Sequence, residues 1–236
     1  MFKCKIAGLV TEIYNRYEFT QKKCADYVCD STLDSDIVIR LSDEEFKQET
    51  ERSNSSPESV EFLAIYRRLC AEISRFDAFL MHGAAIEVYG DGYIFCAPSG
   101  TGKTTHVRFW QQIFGDEVTV VNGDKPIIRF FDGVPHVFGT PWCGKENLNK
   151  NTSAPLEHIC FIHRSETNKV TSITTESALI QLMSQVLLPD SIEATLALSS
   201  MLDSLLSYCG KYDIYCNMST DAAKLAYNTI SKEKKA

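Results

Sequence analysis

The stretch Asp91–Phe114, DGYIFCAPSGTGKTTHVRFWQQIF, constrains the fold more than any other part of the chain. It opens on an apolar run suited to a buried strand. It closes on Thr104–Phe114, where apolar side chains recur at helical steps. Between them lie small residues and two glycines. A strand that turns straight into a helix through a glycine-rich loop belongs to α/β proteins, whose helices cover a sheet. The turn ends in Gly102-Lys103-Thr104, one residue short of the phosphate-loop pattern, because Ala97 stands where the first glycine is expected.

The chemistry of such a loop lies in its backbone. Successive N–H groups from about Ser99 to Thr104 can converge on a phosphate, and the start of the following helix adds its positive dipole end. Pro98, Ser99, Gly100, Thr101, Gly102, Lys103, Thr104 and Thr105 are therefore the candidate nucleotide contacts. Lys103 reaches the β- and γ-phosphates, and Thr104 offers a hydroxyl to Mg²⁺. Ala97 adds only a methyl group, the smallest intrusion a side chain can make.

A second strand should bring a carboxylate to the metal. Glu117–Asn122 (EVTVVN) ends in Gly123-Asp124-Lys125, so Asp124 is the metal candidate, although Asn-Gly-Asp is also good turn chemistry. Lys125 can hold a phosphate or an acceptor anion, or it is simply a solvated residue ahead of Pro126. The polar loop 139–153 collects Trp142, Lys145, Glu146, Asn147 and Lys150. That mixture suits a substrate-facing lid as well as a plain surface loop. Arg108 is expected to pair with a surface carboxylate, and His136 and His163 to be core or strand-edge residues.

The rest of the chain supplies the frame. Residues 2–14 read as one strand and Asp36–Leu41 as another, followed by the capping box Ser42-x-x-Glu45. The polar stretch 48–57 reads as a mobile loop. Ser56 and Pro57 then open a helix with Phe62, Ile65, Leu69, Ile73 and Phe76 on one face. A hairpin is expected around Gly90-Asp91-Gly92, and another around Asp132-Gly133. Ile159–His163 reads as a strand, Glu176–Leu188 and Ser191–Cys209 as helices, and Tyr212–Cys216 as a last strand before a helix capped by Thr220. A net charge of −7 argues against nucleic acid, and no apolar run is long enough to cross a membrane. Nine scattered cysteines without a C-x-x-C pair indicate a reduced, cytoplasmic chain lacking a cysteine metal site.

The run His82-Gly83 through Tyr89-Gly90-Asp91-Gly92 into SGTGKT resembles the HPr kinase/phosphorylase and phosphoenolpyruvate carboxykinase superfamily, most closely its small HPr kinase-related bacterial members. The resemblance covers about residues 80–165. It implies a twisted mixed β-sheet with a phosphate loop, and roles for His82, Lys103 and Asp124 in the active site. The family has two adjacent aspartates after the second strand, and here Gly123 replaces the first. The glutamate that follows the loop hydroxyl in HPr kinase is Thr105, and the arginine-rich C-terminal signature is absent.

These observations lead to an α/β fold with residues 1–75 as an N-terminal strand–helix extension and residues 76–236 as a kinase-like nucleotide-binding domain. The expected activity is Mg-ATP-dependent phosphoryl transfer to a hydroxyl of a small molecule, or to a Ser/Thr of a peptide or protein. A nucleotide-binding regulator with little turnover is the alternative, followed by a carboxykinase-like lyase. A homo-oligomer is left open.

Overall fold

A computed structural model describes residues 1–189 and 191–233; the end of the lysine-rich tail expected to fray, 234–236, lies outside the described residues. The expected first strand is two. Ala7 and Gly8 take positive φ values of 50° and 78°, which turns β1 (Phe2–Ile6) back on β2 (Leu9–Tyr14) as an antiparallel pair. After the short helix α1 (Glu18–Lys23), β3 (Ile37–Arg40) joins β2 in parallel. Ser42 caps α2 (Asp43–Arg52) through the full capping box: Glu45 N–H donates to Ser42 Oγ at 3.2 Å and Ser42 N–H to Glu45 Oε2 at 2.8 Å. The helix then runs on into the stretch expected to be mobile, leaving only residues 53–56 outside helices. Its anchor is Glu49, buried and bonded by Arg67 Nε at 2.7 Å from α3 (Pro57–Ile73). Pro57 starts α3 as expected, whereas the Ser56 hydroxyl bonds the Ser59 hydroxyl instead of capping. Ile65, Leu69 and Ile73 close α3 over the three-stranded sheet.

A larger sheet of nine strands follows. It comprises β4 (Ala78–Leu80), β5 (Ala84–Val88), β6 (Asp91–Cys96), β7 (Val118–Asn122), β8 (Ile127–Phe131), β9 (Val134–Phe138), β10 (Ser153–Arg164), β11 (Lys169–Ser172) and β12 (Gly210–Cys216). The long strand β10 joins its two halves. Residues 153–155 pair antiparallel with β9, and its later residues run parallel to β6 on one side and β12 on the other. The register shifts between Leu156 and His158. There Gly92 lies so close that a Cβ would stand 2.4 Å from Pro155 O, so only glycine fits. The β5–β6 hairpin turns on Tyr89-Gly90, one residue earlier than the glycine spacing suggests, with Val88 opposite Asp91.

Strand alternation sends successive β6 side chains to opposite faces. Ile94 and Cys96 join the core under α5 (Thr175–Leu182) and α6 (Ile192–Tyr208). Tyr93 and Phe95 join the core under α4 (Lys103–Phe114) and α7 (Asp221–Glu233), against Val107, Trp110, Ala226 and Ile230. Each fully buried side chain of this size contributes about 1.5–3 kcal/mol. The sheet thus has helices on both faces, with the start of α4 at the end of β6. The helix expected to reach Leu188 stops at Leu182, because the chain beyond it pairs with the sheet: Val186 bridges Met81, and Gln185 O accepts the His82 N–H at 2.6 Å. All nine cysteines are free thiols. Among the described residues, no helix is long and apolar enough to cross a membrane.

Candidate functional site

Between β6 and α4 the chain makes a tight open turn. Gly100 and Gly102 have φ values of 79° and 124°, and a Cβ on either would meet nothing within 4 Å. Their backbone conformation, not crowding, demands glycine. Gly102 is the residue before the helix, so the amides of Lys103, Thr104 and Thr105 have no carbonyl inside α4. The first helical bond is His106 N–H to Gly102 O at 2.9 Å. Ala97 is buried, its methyl in the core with Phe95 and Val107, which explains why a side chain is accepted at that position.

Lys103 folds back over the turn. Its ammonium donates to Ala97 O at 2.8 Å and lies 3.2 Å from His82 Nε2. His82 Nε2 is also 3.3 Å from Asp124 Oδ1. A single ring nitrogen cannot accept from Lys103 and donate to Asp124 at once, so a neutral His82 must choose between them. Lys125 Nζ holds the other carboxylate oxygen at 2.5 Å. Burial pushes the Asp124 carboxyl up, but hydrogen bonds from His82 and Lys125, with the Lys125 charge, outweigh it and hold it down to about 2. For Lys103, burial lowers the ammonium below its ordinary value against the opposing attraction of Asp124. It is the most strongly buried cation of the group.

The carboxylate is positioned by a buried amide. Asn122, at the end of β7, accepts the N–H groups of Asp124 at 2.9 Å and Lys125 at 2.7 Å. Asn122 in turn donates to Thr140 O at 3.0 Å. Gly83 N–H donates to Asp124 O at 2.9 Å, tying the residue after His82 to the same turn. This Asx-type turn is real, and it sets the Asp124 carboxylate against His82 and Lys125.

A cleft of about 520 Å³ opens over these groups, lined by Ser99, Gly100, Gly102, Lys103, Thr104, Thr105, His82, Gly123, Asp124, Lys145 and Glu146. A second cleft of about 510 Å³ shares Gly100, Gly102 and Thr105 with it, then continues along α4 to Thr101, Phe109, Ile162, Arg164 and Met218. The start of α4 therefore stands between two adjoining cavities, one lined by the charged groups and one with an apolar wall. Pro98 is exposed beside them, and its carbonyl accepts the Thr101 N–H at 3.2 Å. Lys125 reaches the group only through Asp124.

Trp142 departs from the expectation for the lid. It is buried, stacked on Phe62 with ring centres 5.1 Å apart, and its indole N–H donates to Phe62 O at 2.9 Å. It is a core residue that seats loop 139–152 against the N-terminal layer and lines neither cleft. Lys145 does face the cleft, and Arg108 pairs with Glu146 at 2.5 Å across its rim. His163 pairs with Asp213 at 2.9 Å, away from the cleft.

Sequence reasoning missed Arg164. At the end of β10 its Nε donates to Thr101 O at 3.1 Å and its Nη2 to Gly100 O, clamping the turn from the neighbouring strand. The signal was an arginine closing the ICFIHR strand, but only the parallel pairing of β10 with β6 sets it beside the turn.

No family model and no curated protein matches the chain. Among solved structures it is similar, distantly, to an HPr(Ser) kinase/phosphatase from Coxiella burnetii, with a TM-score of 0.34 and 9% identity over 66% of this chain and 93% of that one.

Proposed function

We propose that this protein is a Mg-ATP-dependent phosphotransferase that acts on a hydroxyl group of a small molecule, peptide or protein. One observation carries the reading: Lys103, His82 and Asp124 converge on one cleft at the open N-terminus of α4, beneath a turn held by two left-handed glycines. Amides without helical partners and a cation at that point favour a phosphate group. The apolar wall of the second cleft, with Phe109, Ile162 and Met218, suits the nucleoside end of the same ligand.

The residues present also fit the metal. The described residues contain no cluster of three or more His, Cys, Asp or Glu side chains that could cage an ion. Mg²⁺ keeps much of its water and takes its other oxygens from phosphates, so it needs little more than one carboxylate and one hydroxyl. Asp124 and Thr104 would hold it, and it would supply charge neutralisation to the phosphate oxygens. Lys103 would leave Ala97 O for a phosphate oxygen. His82, released from Lys103, would then orient toward Asp124 and the acceptor hydroxyl, where either can take its proton. Positioning and charge do most of the work in such a transfer.

A second reading has its own support. Gly123 leaves a single carboxylate at the end of β7, and that carboxylate is engaged by Lys125 and His82. A nucleotide-binding regulator with little turnover would need no more. Calorimetry of Mg-ATP against the parent and Lys103→Ala, alongside a hydrolysis assay, separates the readings. Binding lost in the variant together with turnover in the parent supports the phosphotransferase. Binding without turnover supports the regulator, and no binding by the parent overturns both.

A further inference from the structure

The glycine turn between β6 and α4 has little of its own to hold it in shape. Nothing lies within 4 Å of where a Cβ would stand on Gly100 or Gly102, so side-chain packing fixes neither. Glycine also loses more conformational freedom on ordering than any other residue, so such a turn is costly to hold in one form. Within it, Thr101 N–H donates to Pro98 O at 3.2 Å. Among the described residues, the hydrogen bonds that reach the carbonyls of 100 and 101 from elsewhere in the chain both come from Arg164. Its Nε donates to Thr101 O at 3.1 Å and its Nη2 to Gly100 O.

Arg164 has a firm base for this. It is the last residue of β10, opposite Cys216 of β12, and just beyond it Ser165 N–H donates to Cys216 O at 3.0 Å. The consequence lies on the other side of the peptide planes. In a trans peptide the C=O and the N–H point in opposite directions. With Thr101 O turned to Arg164, the Gly102 N–H of the same plane faces away from it. With Gly100 O held likewise, the Thr101 N–H is left to Pro98 O. The Gly102 amide has no hydrogen bond among the described residues, and it continues the open series of Lys103, Thr104 and Thr105. Arg164 lines the second cleft alone, whereas Gly102 borders both.

We propose that Arg164 is a positioning residue, which orders the turn so that the Gly102 N–H joins the open amides of α4 before a phosphate arrives. It thereby sets phosphate affinity without touching the phosphate. This rests on the proposed binding of nucleotide phosphates at the turn and extends it to a residue on another strand. The physical basis is preorganisation: bonds already made to the two carbonyls remove an ordering cost that the ligand would otherwise bear. The planar fork matters, because a guanidinium reaches two neighbouring carbonyls at once, while an ammonium is a point donor.

Calorimetric titrations compare the parent, Arg164→Ala and Arg164→Lys with Mg-ATP, magnesium pyrophosphate and adenosine, alongside melting curves. Arg164 is exposed, so both variants should melt close to the parent. In Arg164→Ala the affinities for Mg-ATP and pyrophosphate should fall roughly tenfold or more, while adenosine binds as before. Arg164→Lys should recover only part of that loss. Guanidinium ion added to Arg164→Ala should restore pyrophosphate affinity where methylammonium at the same ionic strength does not, a rescue that a general loss of stability would not give. Equal Mg-ATP affinity in the parent and Arg164→Ala overturns the inference and leaves the phosphate site standing. Full recovery in Arg164→Lys, or equal rescue by methylammonium, overturns it in favour of a charge acting at a distance. Adenosine weakened as much as pyrophosphate makes Arg164 a nucleoside contact instead. A parent that binds neither Mg-ATP nor pyrophosphate removes the nucleotide reading and this inference together, an outcome distinct from equal affinities.

Discussion

Two regions of this molecule bury a carboxylate, and they treat it in opposite ways. In the N-terminal layer, Glu61 on α3 is fully buried. It accepts the Arg16 N–H, the Tyr17 N–H at 3.2 Å and the Thr20 hydroxyl at 2.6 Å. All its partners are backbone or neutral groups that have nowhere else to go. At the cleft, Asp124 is partly exposed, and its partners are the side chains of Lys125 and His82, both of which can swing away. A carboxylate spent on orphan amides holds structure together. One balanced against mobile cations next to an open cavity is available to a ligand. The same residue chemistry marks architecture in one place and a candidate site in the other.

The sharpest test of that contrast removes each carboxylate. Asp124→Asn should leave the melting temperature within a few degrees of the parent and lower phosphoryl-transfer or hydrolysis rates by about 10²–10⁴. A large loss of stability with rates kept would turn Asp124 into a second Glu61. Glu61→Ala should do the reverse, leaving two amides and a hydroxyl without an acceptor. The expected loss is about 4 kcal/mol, read as a drop in melting temperature of roughly 10 °C for a chain of this length. Nucleotide affinity should be unchanged for the fraction still folded.

Acid sensitivity separates the regions further. Burial pushes the His106 imidazole from an ordinary 6.5 down to about 4, and its Nε2 accepts the Trp110 indole N–H at 3.0 Å. In that window the unfolded chain binds a proton that the folded chain refuses. Stability is therefore full above about pH 6.5 and declines as pH falls toward 4, by up to about 3 kcal/mol. His106→Gln, which keeps an acceptor for Trp110, should flatten the melting temperature between pH 7 and 4.5. An unchanged slope would place the acid-sensitive group elsewhere.

Smaller effects probe the cleft itself. A Cβ on Gly123 would stand 3.1 Å from Leu148 Cβ and 3.2 Å from Leu148 O, close but able to yield by tenths of an ångström. Gly123→Asp should cost about 1 kcal/mol and raise turnover if the second carboxylate is what limits transfer. Unaltered turnover with nucleotide binding kept would favour the regulator. Smallest of all, Arg108→Ala breaks an exposed ion pair with Glu146 and should change stability by less than about 1 kcal/mol.

Much of the local order was legible. The strand–turn–helix around Lys103, the capping box at Ser42, the Pro57 helix start and the Asp132-Gly133 hairpin are short-range features, set by φ preferences, caps and periodicity within a few residues. The errors came where distant contacts outvote local preference. Residues 48–52 are helical because Glu49 is buried against Arg67 of the next helix. Trp142 looked like a lid residue because its neighbours are polar, but Phe62 and Tyr66 on α3 draw it into the core. The early end of α5 is set by a bridge from Val186 to Met81.

The two glycines of the turn and the strand that feeds the helix are written in consecutive residues, because backbone conformation is a local property. Which groups meet at that turn is not. His82, Lys103, Asp124 and Arg164 come from four separate segments, and they converge only because β5 pairs with β7 and β10 runs parallel to β6. Sheet pairing, a long-range bargain among backbone hydrogen bonds and buried faces, places a histidine, a lysine and a carboxylate on one cleft and an arginine on the cleft beside it. It also sets α5 and α6 on the face opposite α4 and α7.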